Sequence, residues 1–304
     1  MSIPIIPFDE GEVLLDWVEL TQALADGHAL PKAEIGDTFL YRGQDTLLSR
    51  AAWIDGLGLA VKTATVFPAN PDHGQPMIHG SVNLFADRDG ILSALIDFHL
   101  VTKWKTAGDS LLAALHLADP DSKRILIVGA GTVGQSLCEA FAAGFPQARL
   151  SIWNRTTAKA EALAKTVGNA DVAATLPDAV NAADIVVSAT MSSDPIIKGE
   201  WLRPGQHINL IGAYRADMRE ADDDALRMSR VYVDSFDTTI GHIGEIKTPL
   251  DAGVITREHL LADYYDLSAF AHDPAKPTLF KNGGGAHLDL MTSRYILEKW
   301  QEAQ

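Results

Sequence analysis

The stretch that most limits the fold is Ile125 to Val128, followed at once by Gly129-Ala130-Gly131-Thr132-Val133-Gly134 and then by an apolar-periodic segment running to Gly144. The short aliphatic run reads as a buried strand, and Leu137, Cys138, Ala140 and Phe141 behind it read as one face of a helix. Between them each glycine has its own task. The first permits the tight turn, and the second lets the backbone approach a pyrophosphate. The third lets the helix pack on the strand while its N-terminus faces the phosphates. The glycine spacing by itself is a weak signal. With a strand before it and a helix behind, it assigns Gly129, Ala130, Gly131, Thr132, Val133 and Gly134 to a bound dinucleotide.

Which dinucleotide is read at the end of the second strand, roughly 20 residues on, where NAD sites usually carry a carboxylate for the ribose hydroxyls. Here the run Leu150 to Trp153 ends in Asn154-Arg155-Thr156. No acid stands there to repel a 2′-phosphate, Arg155 offers a planar cationic fork, and Asn154 and Thr156 offer donors. The expected cofactor is therefore NADP(H) in preference to NAD(H). Thr190, closing the apolar run Asp184 to Thr190, falls at a strand C-terminus and is placed beside the nicotinamide.

Around this motif, strands alternate with helices from about Asp121 onward, and each strand is a continuous Ile/Val/Leu run, the mark of a parallel sheet covered on both faces. The earlier chain reads differently. Residues 11 to 30 have helical spacing, residues 38 to 100 are short β-rich runs with a hairpin signal at Asp89-Gly90, and a helix is expected over 102 to 118, opening on Thr102. The last section holds a short strand, a glycine run and a terminal helix. The expected architecture is α/β: a Rossmann-type doubly wound parallel sheet over residues 120–283, inserted into a discontinuous α+β lobe made from 1–119 and 284–304. A chain of 304 residues suits two such domains.

With 25 Lys and Arg against 40 Asp and Glu, the formal charge is -15, which opposes binding to nucleic acid or an anionic membrane surface. A small-molecule ligand fits better, and an anion must be captured by local cations working against that field. The one cysteine, Cys138, lies on an apolar helix face and is read as structural. Met1 to Glu10 lacks the pattern of a signal peptide, and no apolar run approaches the roughly 20 residues that span a bilayer, so a cytoplasmic location is expected. His73, His79 and His99 lack metal-ligand spacing, and Asp222-Asp223-Asp224 reads as a charged surface or helix entry, so no metal is assigned.

Several separated motifs agree with one another: AVKTATVFPANP around Lys62, TKWKTAGDS around Lys105, VGAGTVG, WNRT, DIVVSAT, INLIGAYRADMREADDD, the Gly244-Glu245-Ile246 triplet and TLFKNGGGAHLD. Across nearly its whole length the chain resembles the ornithine cyclodeaminase and mu-crystallin family. The resemblance implies an N-terminal lobe that binds substrate and forms a homodimer, a central Rossmann domain, and chemistry at the Cα of an amino acid or the corresponding imine. The sequence departs from the family at three places. Lys105 stands where an arginine is usual, Tyr214 stands where cyclodeaminases carry an acid, and Gly284, Gly285 and His287 occupy a segment where relatives vary. Asp217 matches the aspartate of the mu-crystallin pattern.

Reduction of a C=N bond requires a seat for the substrate carboxylate and a proton for nitrogen. Lys62, in an otherwise apolar strand segment, is assigned to holding the carboxylate or supplying the proton, and Asp217 to stabilising an iminium or ordering a proton-donating water. Lys105, Thr106 and Arg42 are assigned to the substrate, with Lys105 expected near a helix start where the dipole would assist it. Each has a plainer alternative: an outward strand lysine for Lys62, a surface lysine for Lys105, and a solvated loop acid among Arg215, Arg219 and Glu220 for Asp217. The leading expectation is an NADPH-dependent ketimine reductase forming an L-amino acid, such as L-proline from pyrroline-2-carboxylate. Two others stay open: a cyclodeaminase that retains NAD, and a mu-crystallin-type protein that uses NADPH to bind a hydrophobic ligand such as thyroid hormone.

Overall fold

A computed structural model describes residues 3–304, so the first two residues of the N-terminal stretch considered above lie outside it. Contacts divide the chain into two units, 1–105 with 285–304, and 106–284.

In the first unit, β1 (Ile5–Ile6) is followed by two helices, α1 (Phe8–Glu12) and α2 (Trp17–His28). The expected single helix is broken between them because Asp16 caps α2, its carboxylate accepting from the amides of Val18 and Glu19. Then come β2 (Glu34–Arg42), β3 (Asp45–Ile54), β4 (Gly58–Val66), β5 (Ile78–Phe85) and β6 (Leu92–Asp97), an antiparallel meander with β1 added in parallel beside β6. On β4 the period-two alternation buries Ala60, Lys62 and Ala64 on one face, continued by Val82 and Leu84 of β5 and Ala94 and Ile96 of β6.

Helix α3 (Phe98–Leu117) begins four residues before the expected Thr102. Asp97, the last residue of β6, accepts from the amides of His99 and Leu100, so strand passes into helix with no loop residue to signal the change. Lys105 is consequently two turns inside the helix, where the N-terminal dipole that the sequence reading invoked has no purchase. The divide between the units falls within α3 at Lys105/Thr106, whereas the expected boundary stood at 119/120. The later half of the helix belongs with the second unit because Leu111 lies against Gly144 and the Tyr264 hydroxyl donates to the Asp109 carbonyl.

The second unit alternates β7 (Arg124–Val128), α4 (Thr132–Gly144), β8 (Arg149–Trp153), α5 (Thr157–Val167), β9 (Ala170–Val172), α6 (Leu176–Ala182), β10 (Ile185–Ser188), β11 (His207–Leu210), α7 (Asp223–Met228) and β12 (Arg230–Val233), then α8 (Phe236–Thr239), α9 (Gly244–Asp251) and β13 (Thr278–Lys281). All seven strands are parallel in the order β9-β8-β7-β10-β11-β13-β12. Strand order reverses between β7 and β10, the crevice where doubly wound sheets bind ligands. Ile125 to Val128 and Ile185 to Val187 are fully buried, each such side chain contributing about 1.5–3 kcal/mol. Cys138 is buried in α4, and burial pushes its thiol up to about 12, in keeping with a structural role. Asp222 caps α7 and Arg219 and Arg227 pair with Asp223 and Asp224, so the acidic run is a helix entry.

Helix α10 (Ala286–Glu302) returns to the first unit, packing across β3, β4 and β5 and against α2. The glycines before it have a local reason: the amides of Gly283 and Gly284 donate to the Asp234 carboxylate, and Gly284 takes a φ of +73°. Among the described residues no helix is long and apolar enough to cross a membrane.

Candidate active site

In the second unit a cavity of about 430 Å³ opens at the carboxyl edge of the parallel sheet, lined by the Gly129 to Gly131 turn, Asn154 to Thr156, Lys159 and Thr190. The residues fit a dinucleotide. Gly129 has a φ of +115°, and a Cβ there would sit 2.7 Å from the Ala189 carbonyl. A Cβ on Gly134 would sit 2.1 Å from the Gly129 carbonyl, so that glycine is what lets α4 lie on the turn. At Gly131 a Cβ would meet nothing within 4 Å, and its carbon would point into open space at the N-cap of α4. No side chain caps α4, which leaves its first amides turned to an anion. Gly131→Ala is therefore expected to keep the wild-type melting temperature and weaken dinucleotide binding about tenfold, read by calorimetric titration. A lowered melting temperature with unchanged affinity would contradict this.

At the mouth, Arg155 and Thr156 are exposed, and Lys159, which the sequence reading passed over, adds a second cation from the first turn of α5. Asn154, expected as a donor to the cofactor, also makes bonds within the site. Its carbonyl oxygen accepts from the Ala130 amide at 3.2 Å and its amide donates to the Thr156 carbonyl at 3.0 Å, so it braces the glycine turn against the second loop. Thr190 is tied to Glu220, which is fully buried. One Glu220 oxygen accepts from the Ser188 hydroxyl, the Thr190 amide and the Thr190 hydroxyl, and the other accepts from the Gly212 amide. Glu245 in turn accepts from the amides of Glu220 and Ala221; burial and the Glu220 charge push it up to about 7. The buried Lys281 ammonium lies in the field of both acids and donates to the carbonyls of Leu210 and Asn282. From the sequence Glu220 figured only as a neighbour of Asp217. Nothing in its local pattern distinguishes it from the exposed acids beside it.

The first unit holds a separate cationic cluster. Across its sheet, register aligns Asp37, Arg50, Lys62, Val82 and Ile96 in one row from β2 to β6. Arg50 is paired with Asp37 at 2.9 Å. Lys62 is 5% exposed, and its ammonium lies 2.9 Å from Asp289 of α10 and 4.6 Å from the Phe98 ring centroid. Lys105 reaches the same Asp289 oxygen at 3.4 Å and is 7% exposed. Burial lowers Lys62 to about 8, with Asp289 resisting the shift. Burial alone would raise Asp289; Lys105 and Lys62 outweigh it and hold the carboxyl below its ordinary value. His287, two residues earlier on α10, is fully buried and meets the His28 ring edge-on at 5.3 Å.

The structure thus brings Lys62 and Lys105 together, with Thr106 following in α3. Arg42 is elsewhere in the unit. It sits at the β2–β3 turn with its side chain 80% exposed and paired to Asp45, and the arginine beside Lys62 is Arg50. Asp217 lies apart from the lysine cluster's contacts: its side chain is 64% exposed, and the Arg215 guanidinium bonds it through two nitrogens and holds its carboxyl below the usual range, which favours the plainer alternative of a solvated loop acid. Asp289 was missed because an acid among Leu288, Leu290 and Met291 gives no local sign that it meets a lysine 227 residues away.

A dinucleotide turn on a parallel sheet, in a chain whose other lobe buries two lysines on one carboxylate, defines a nucleotide-linked protein. Residues 53–304 match the ornithine cyclodeaminase/mu-crystallin family model, and the chain belongs to that family. It is 49% identical over 291 residues to a Δ1-pyrroline-2-carboxylate reductase of Paracoccus denitrificans, covering 93% of this chain and 92% of the relative. It is 33% identical to the mouse ketimine reductase mu-crystallin, over 81% of this chain and 77% of the other. Among solved structures, a Thermococcus litoralis Δ1-pyrroline-2-carboxylate reductase in complex with NADH and L-proline superposes with a TM-score of 0.89 at 25% identity, over 99% of this chain and 98% of that one.

Proposed function

We propose that this chain is an NADPH-linked imine reductase that converts a cyclic or N-substituted α-imino acid to the L-amino acid, with Δ1-pyrroline-2-carboxylate to L-proline as the first reaction to test. The observation that carries it is the pair of buried ammoniums sharing one carboxylate. Two positive charges against one negative leave a single net positive charge, matched to the one carboxylate of such a substrate. When bound, the nicotinamide supplies the hydride for the imine carbon. Lys105 and Lys62 hold the substrate carboxylate. Lys62, with a value of about 8, keeps its proton at neutral pH and passes it to the imine nitrogen as hydride arrives. Asp217 has no part in this reading.

The preference for NADPH rests on Arg155, Thr156 and Lys159 at the cavity mouth and on the lack of an acid among them. The test is a panel of cyclic imines and 2-oxo acid plus amine mixtures, followed at 340 nm with both cofactors. Ammonia release from ornithine without added reductant, or no oxidation of either cofactor with any imine, would overturn the reading.

The active form is proposed to be a pair of identical chains. Every residue of β2, an edge strand of nine residues, is exposed, including Ile35, Phe39, Leu40 and Tyr41. A long apolar edge of this kind invites a partner strand or sheet. Light scattering of Leu40→Lys against wild type reads it, with loss of the dimer expected.

A further inference from the structure

The cluster in the first unit contains a group whose task the reaction does not by itself require. A substrate carboxylate needs cations, yet α10 inserts an anion between them. Asp289 is 1% exposed, one of its oxygens is shared by Lys62 and Lys105, and the other makes no hydrogen bond. Burying an acid there has a desolvation cost and cancels half of the positive charge, so the arrangement needs a compensating benefit.

The surroundings of Lys62 supply one. From β3, Arg50 stands directly opposite it; from α3 come Lys105 and the Phe98 ring; from β5 comes the apolar Val82; from α10 come Asp289 and His287, the latter beside His28 of α2. His287 is held well below its ordinary value, first by burial and then by its cationic neighbours, so it stays neutral. Asp37 is engaged by Arg50. Asp289 is thus the acid in direct contact with the Lys62 ammonium, set against burial and two neighbouring cations, all of which favour loss of its proton.

We propose that Asp289 is a positioning residue whose carboxylate keeps Lys62 a charged, proton-carrying ammonium and aims it together with Lys105, so that the pair is ready when the substrate anion arrives. This rests on the reading of Lys62 as the proton donor and carboxylate anchor. Without Asp289 the two lysines and Arg50 repel one another in a dry site, and the cheapest relief is for Lys62 to lose its proton. With Asp289 present, the lysine remains charged up to about pH 8 and can be reprotonated between turnovers. A purely structural role for the ion pair would instead alter stability and leave the alkaline limb of kcat/KM where it is.

The test compares wild type with Asp289→Asn, Asp289→Ser and Asp289→Glu, measuring kcat/KM against pH. Wild type is expected to lose activity as pH rises through about 8. In the two neutral variants that alkaline limb moves down by roughly 1–3 pH units, the range expected for loss of a contacting opposite charge, and Asp289→Glu restores it. A second measurement needs no turnover: the rate at which a small amine-reactive reagent labels Lys62 in the full chain, quantified by peptide mass spectrometry across pH, should shift by the same amount. A neutral variant whose activity falls equally at every pH, with an unmoved labelling curve, overturns the proposal. Labelling that shifts as expected while Lys62→Met retains activity would instead sink the assignment of Lys62 to catalysis and leave its coupling to Asp289 standing. Asn and Ser differ in volume, so failure of one to fold leaves the other to decide.

Discussion

Replacing Lys62 with methionine lowers kcat/KM for imine reduction by about 100- to 1,000-fold, the loss expected when one partner of a buried, hydrogen-bonded charge pair is truncated. The dissociation constant for NADPH stays within about twofold, because the residues that line the dinucleotide cavity belong to the other unit. Methionine fills most of the space and carries no charge, so Lys105 and Asp289 would then neutralise each other and leave no net cation for the substrate. Lys62→Arg separates the two tasks assigned to Lys62. A guanidinium still holds a carboxylate but releases no proton near neutrality, so KM should recover while kcat stays low. The wild-type profile should also lose kcat/KM above about pH 8, since the lysine must be protonated to act and its value is lowered to about 8 by burial. Full activity in Lys62→Met, or equal recovery of kcat and KM in Lys62→Arg, would remove the lysine from the reaction.

The parts of the molecule that were legible in the sequence are those whose physics is local. The strand-turn-helix at Ile125 to Gly144 carries its own justification, because glycine spacing, aliphatic run and helical period all lie within 20 residues. The alternation of strands and helices announced the parallel sheet for the same reason. The parts that stayed hidden depend on partners distant in the chain. Lys62 was assigned inward from its apolar strand neighbours, but its partner was not legible: Asp289 became an ion-pair partner only when α10 was in place over β4. Glu220 and Asp217 lie three residues apart in one acidic loop, yet one is sealed under Thr190 and Gly212 and the other is in solvent. The family resemblance pointed to Asp217, and only the folded chain shows that Glu220 is the buried one of the two. Helix α3 was misplaced by four residues because its cap is the final residue of a strand, a position that a search for loop residues passes over.

Arg155→Asp should weaken NADPH binding by about 10- to 100-fold while NADH changes by less than about threefold, as read by fluorescence titration of the two reduced cofactors. The difference arises at the only atoms that distinguish them. A 2′-phosphate brought to the cavity mouth meets Arg155, Thr156 and Lys159 in wild type, whereas in the variant it meets a carboxylate that repels it and has lost a charge-assisted hydrogen bond. NADH offers hydroxyls there, and an aspartate can accept from them as acidic residues do in NAD-binding sheets. The background matters to the size of the effect. The chain carries a formal charge of -15, so the phosphate approaches through a repulsive field and depends on these few cations. Lys159→Ala should act in the same direction with a smaller effect, since a lysine contributes a point charge without a bidentate fork. Raised salt should narrow the gap between the cofactors in wild type, because an exposed cation is screened over about 10 Å at 0.1 M ionic strength. Equal weakening of both cofactors in Arg155→Asp would mean that the arginine shapes the loop without meeting the phosphate, and the preference for NADPH would then have to be abandoned.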